Sequence, residues 1–182
     1  MSIETWGLSS SRSRISFAVR HLVFSKTRGG FNRWYGTLAV PDGDFSRATV
    51  EVVIDASSID TGVLRRDKHL RSEDYLDVKR YPDITFISRR VHAEPGGRFR
   101  VIGVLTIRSV TREVTLDVES IARGEDRRES DRVLYSATAA FDRRAFEFTG
   151  NPALDSGGLV IGERIEVEIE VEAVRQPAER VA

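Results

Sequence analysis

Near the end of the chain, Ile165, Val167, Ile169 and Val171 alternate without a break with Glu166, Glu168, Glu170 and Glu172. Side chains of a strand point to opposite faces at every second residue, so this run makes a strand with one dry face and one wet face. Such strands belong to antiparallel sheet, because parallel strands are covered on both faces. The same period recurs upstream. Ile15, Phe17, Val19 and His21 share one parity, as do Val50, Val52 and Ile54, Ile84 and Phe86, Phe99, Val101, Gly103, Leu105 and Ile107, and Val114, Leu116 and Val118. The alternation predicts eight strands, over 13–24, 33–40, 46–56, 83–93, 97–108, 112–122, 131–142 and 162–174. The segment around Trp6 plugs or extends one end.

Turn chemistry separates these runs. Pro41-Asp42-Gly43-Asp44 and Glu94-Pro95-Gly96-Gly97 are hairpin links in which glycine supplies a positive φ, and Ser109-Val110-Thr111 is a tighter one. Two longer loops, near Gly124–Asp131 and Thr149–Gly158, are polar or rich in glycine. Only residues 57–82 cannot be a hairpin. Ser57, Ser58 and Thr61 can cap a helix start, Leu64, Leu70, Tyr75 and Leu76 give an apolar stripe, and Pro82 ends it. One short helical insertion is therefore expected around 60–78.

Eight one-faced strands pack as a sandwich or close on themselves, and closure removes both exposed edges. The expectation is an all-β fold, an eight-stranded antiparallel up-and-down barrel. An eight-stranded barrel holds its own side chains or one slender ligand. Gly103, Ala137 and Ala139 on the inward face favour a cavity. At 182 residues the chain is one domain, about 5–174, followed by a frayed tail after Val174.

Lys plus Arg and Asp plus Glu both number 28, so the formal net charge is zero, which argues against a nucleic-acid footprint. There is no cysteine, which excludes disulfides, thiol catalysis and cysteine-based zinc sites. No window approaches the roughly 18 apolar residues of a membrane helix, and the first residues lack the pattern of a secretory signal. A cytoplasmic protein without stable membrane insertion is the expectation.

Ser13-Arg14-Ile15-Ser16-Phe17-Ala18-Val19-Arg20-His21-Leu22, followed by Gly30-Phe31 and Gly36, resembles the first hairpin of the YceI-like family. Asp55 to Thr61, Arg66 to Ser72, Asp74 to Asp77 and Tyr81-Pro82 with Phe86 are similar to its central block. Gly103 to Ile107, Val110-Thr111 and Asp142-Arg143 with Phe146 match its second half. The resemblance implies a lipocalin-like barrel that holds a long isoprenoid, such as a polyprenyl chain or an isoprenoid quinone, or another long amphiphile. Members are often secreted, others lack a signal, and a homodimer is family-typical. Two departures stand out: Arg12 replaces a histidine frequent before the serine of the first motif, and Glu147 replaces a glycine frequent after Phe146.

The apolar face would line the cavity. It comprises Phe17 and Val19, Phe31, Leu38, Val52 and Ile54, Phe86, Val101 and Leu105, Ala139 and Phe141, and Val167 and Ile169. Leu70 and Tyr75 join it from the helical insertion. Arg12, His21, Asp67 and Arg71 are candidate head-group contacts, with His21 able to carry a proton near neutrality. No two histidines have the spacing of a helical metal face, no nucleophile elbow occurs, and no cofactor beyond a bound lipid is expected. The expected function is non-enzymatic binding, sequestration or transport of such a lipid. Two rivals are an enzyme acting on a lipid-like substrate with His21 as general base, and a stress-related interaction module with a closed core.

Overall fold

A computed structural model describes residues 1–21, 25–123, 131–148 and 161–177. Among these residues eleven strands form one antiparallel sheet: β1 (Ile3–Ser9), β2 (Arg14–His21), β3 (Ser25–Phe31), β4 (Trp34–Pro41), β5 (Thr49–Asp55), β6 (Ile59–Asp60), β7 (Asp83–Glu94), β8 (Arg98–Ile107), β9 (Val110–Arg123), β10 (Arg132–Asp142) and β11 (Ile161–Arg175). Strands β4, β5, β7, β8, β9, β10 and β11 follow one another around the wall. The ring closes because β11 pairs with β2 (Val167 opposite Phe17) and, at its far end, with β1 (Gly7 opposite Val174). In turn β2 pairs with β3, and β1 with β4. The first two walls are thus long strands broken near 10–13 and 32–33, and the barrel has eight walls.

The Trp6 segment is therefore a strand, β1, and it extends the wall. Strand β3 is one that alternation does not mark, because Ser25-Lys26-Thr27-Arg28-Gly29-Gly30 carries no apolar period. Its glycines are demanded by neighbours: a Cβ on Gly29 would come within 2.6 Å of the Phe17 ring and 2.9 Å of Thr61. The two loops expected near Gly124–Asp131 and Thr149–Gly158 lie almost wholly outside the described residues.

The ends differ. At one end Trp6, Val40, Val133 and Ala173 are buried and close the interior. A short 3₁₀ turn at Phe45–Arg47 adds to this, with the Phe45 ring 6.0 Å from that of Phe99. At the other end β5 leads out and β7 leads back, with Asp55 opposite Asp83. The single α-helix among the described residues, α1 (Leu64–Arg71), spans this connection. It is shorter than the expected 60–78, since residues 72–80 run on as turns.

Its start also differs from expectation. Ser57 and Ser58 belong to a 3₁₀ turn at Ala56–Ser58, where the Asp55 carboxylate accepts from the Ser57 N–H at 2.9 Å. The helix N-cap is Val63, with no side-chain cap. The helix instead reaches backwards: Asp67 accepts from the Thr61 N–H at 2.9 Å and the Thr61 hydroxyl at 2.5 Å. Arg71 donates to the carbonyls of Ser57 and Ile59, each at 2.7 Å.

Candidate functional site: an apolar cavity under a cationic helix

The inward parity of the strands surrounds a cavity of about 1080 Å³. That is slightly above the roughly 300–1,000 Å³ usual for small-molecule sites. Phe17, Val19, Phe31, Leu38, Val52, Ile54, Leu70, Tyr75, Phe86, Val101, Leu105, Ala139, Phe141, Val167 and Ile169 all stand in its wall. Trp34 and Phe148 complete the helix-side end, Phe45 and Phe99 the closed end. The side chains of the described residues therefore leave the interior unfilled, which the closed-core reading does not expect.

Small inward residues do not all make space. Ala137 and Ala139 line the cavity, whereas Gly103 is covered. A Cβ on Gly103 would meet the Phe86 ring at 2.5 Å and the Ile87 carbonyl oxygen at 2.6 Å. Glycine there lets the Phe86 ring lie flat across β8.

The four polar candidates fare differently from the apolar ones. Arg12 is on the outer surface, 3.3 Å from Glu172 on the wet face of β11. Asp67 and Arg71 are committed to the Thr61, Ser57 and Ile59 backbone and do not line the cavity. Parity and helix content do not reveal such commitments, which arise because the 56–61 turn folds back against α1. The side chain of His21 lies outside the described residues; its backbone pairs with Ile161. Among the described residues, the charged groups that do reach the wall are all cationic or can become so: Arg65, Arg66, His69 and Arg143. Arg66 donates to the Thr61 hydroxyl at 2.7 Å. His69 Nε2 is 3.1 Å from Asp74, and its ring stands edge-on to Tyr75 at 5.1 Å. The i, i+3 and i, i+4 offsets of Arg66, His69 and Leu70 put these three on one helix face. That signal was available in the sequence.

Arg143 supports the wall from behind the opening. It donates to the carbonyls of Phe148, at 2.6 Å, and Gly162, at 3.2 Å. Asp142 caps the adjoining 3₁₀ turn, Arg143–Phe146, and Phe146 is fully buried. Hydrogen bonds from the Arg144 side chain and backbone N–H hold the Asp142 carboxyl down at about 2. The turn ends on Glu147 in the left-handed region, φ 62°. Glycine suits that conformation without strain.

A closed antiparallel barrel, solid at one end and lined with apolar side chains, with a cationic helix across the other, is the architecture of a ligand-holding β-barrel. The chain belongs to the YceI-like family, whose model matches residues 6–173. A UPF0312 protein of Pectobacterium atrosepticum is 35% identical over 162 residues, covering 89% of this chain and 81% of that protein. Among solved structures, BcnA of Burkholderia cenocepacia superposes with a TM-score of 0.79 at 20% identity, over 92% of this chain and 99% of the other. A polyisoprenoid binding domain from Saccharophagus degradans, implicated in plant cell wall breakdown, gives 0.69 at 15% identity, over 94% and 98%. At these identities the two structures show a common fold.

Proposed function

We propose that this protein binds a long isoprenoid, or a chain amphiphile of similar girth, with the hydrocarbon inside the barrel and the head group toward Arg65, Arg66 and His69. The observation that carries the reading is the cavity of about 1080 Å³, whose charged wall groups among the described residues are Arg65, Arg66, His69 and Arg143. Each buried CH₂ contributes about 0.8 kcal/mol, so four or five prenyl units give tight binding before any polar contact is counted. The polyisoprenoid binding domain from Saccharophagus degradans, a barrel of the same fold, lends support. The protein works by holding and handing over its ligand, an isoprenoid quinone or polyprenyl lipid, and not by transforming it.

Native mass spectrometry of freshly purified protein, followed by organic extraction, tests this directly. A stoichiometric ligand of prenyl-repeat composition is expected. Ala139→Phe, which places a ring in the cavity wall, should weaken loading by tenfold or more, since a ring displaces several methylenes at roughly 0.8 kcal/mol each. A protein that purifies empty and takes up no prenyl lipid refutes the reading. A cytoplasmic location and a homodimer form part of the proposal, tested by cell fractionation and light scattering. No helix among the described residues is long and apolar enough to cross a membrane.

A further inference from the structure

The two faces of α1 meet different surroundings. Arg66, His69 and Leu70 line the cavity, with Val63 and Arg65 beside them. Leu64 and Lys68, one turn apart, are absent from that wall and face outward. Leu64 is 87% exposed and Val63 47%. A lone exposed leucine calls for no explanation. This one adjoins Val63, a wall residue, so apolar surface runs from the interior out over the rim.

Charge surrounds it. Helix α1 holds Arg65, Arg66, Lys68 and Arg71 against Asp67 alone, and Asp67 is buried against Thr61. The guanidinium groups of Arg66 and Arg71 are engaged by Thr61, Ser57 and Ile59. Arg65 and Lys68 make no hydrogen bond or ion pair among the described residues. The chain as a whole has zero formal net charge, so this cationic excess is local to the helix.

We infer that Val63, Leu64, Arg65 and Lys68 form a docking tip that seats the open end of the barrel on a bilayer surface bearing anionic lipids. The apolar pair enters the acyl boundary and the two cations meet lipid phosphates, the arrangement by which short amphipathic segments hold to an interface. Charge complementarity and continuity with the cavity select this occupant. A cargo chain could then pass between bilayer and barrel without crossing water. The inference rests on the binding function proposed above, and its test separates the two.

The test is flotation with vesicles of phosphatidylcholine alone and of phosphatidylcholine mixed with phosphatidylglycerol. Binding is expected on the mixed vesicles and should weaken with added salt. Lys68→Gln should lower the partition about fivefold. Leu64→Ser should lower it roughly tenfold through lost apolar burial. Neither residue lines the cavity, so uptake of an apolar fluorophore in lipid-free buffer should match wild type. Equal binding to both vesicle types, or a Leu64→Ser variant that partitions like wild type, overturns the inference and leaves the binding function standing. Normal flotation with no fluorophore uptake by any version overturns the binding function and leaves the tip.

Discussion

Removing the Asp67 carboxylate should loosen α1 over the cavity. Asp67 is 3% exposed, and one of its oxygens accepts from both the Thr61 N–H and the Thr61 hydroxyl. Hydrogen bonds to a charged group contribute about 1.5–3 kcal/mol each, and two that share an acceptor do not add fully. Asp67→Ala should therefore make opening of this segment easier by about 3 kcal/mol, with the Thr61 donors left to water. A tenfold change corresponds to about 1.4 kcal/mol, so the open form rises roughly 100-fold. Stopped-flow release of a preloaded apolar fluorophore reads this as an exit rate up to about 100-fold faster. Asp67→Asn keeps an acceptor but loses the charge, and should fall near tenfold on the same scale. The strand ladders are untouched and the opening is local, so the melting temperature should drop by only a few degrees. An exit rate for Asp67→Ala within about twofold of wild type would refute the reasoning that the Asp67–Thr61 hydrogen bonds hold α1 across the end of the cavity.

Glu147 occupies a left-handed position, φ 62°, where a non-glycine residue costs about 1–2 kcal/mol. Glu147→Gly relieves that but adds unfolded-state entropy, so a net gain of about 0.5 kcal/mol and a melting rise of one or two degrees are expected; a fall in melting temperature would contradict the strain. Trp34 lines the cavity and Trp6 does not, so a ligand-dependent change in tryptophan emission should vanish in Trp34→Phe and survive in Trp6→Phe. Acid should destabilise the fold through carboxylates held below their ordinary 3.8: Asp142 at about 2 through its Arg144 hydrogen bonds, and Asp55 lowered chiefly by the Ser57 hydroxyl. Groups with depressed folded values stabilise fully above the ordinary value and lose that contribution as pH falls from about 4 toward 2. Melting temperature should therefore be flat above about pH 4.5 and fall below it, with a shallower fall in Asp142→Asn.

The walls were legible because period-two alternation is a local property. Seven strands, β4, β5 and β7 to β11, lie within a few residues of the predicted runs, and β2 occupies the described part of the eighth. What escaped was structure dictated by partners. Strand β3 has no apolar period and is a strand because β2 offers it a ladder from Ile15 to His21. Strand β1 is short and held by the Arg175 guanidinium, 2.9 Å from Glu4 and 5.9 Å from the centre of the Trp6 ring. The helix lost its predicted serine caps because Asp55 captures Ser57 first, at two residues' distance.

The site divides along the same line. Parity assigns each strand residue to the inside or the outside, so the apolar wall could be written from the sequence. Reach is another matter: it depends on what stands opposite. Gly103 looks like vacant space in the sequence and is the bed of the Phe86 ring, whereas Ala139 looks the same and borders the cavity. For polar side chains the opposing partner decides everything. Arg12, Asp67 and Arg71 were plausible by chemistry, yet each meets a nearer acceptor or donor, in Glu172, Thr61 or the 57–59 backbone. Arg65 reaches the rim because no acceptor among the described residues claims it. Among the described residues, the charged groups near the cavity all stand on elements that interrupt the strands. That makes α1 and the Arg143–Phe146 turn the places where head-group recognition has to be sought.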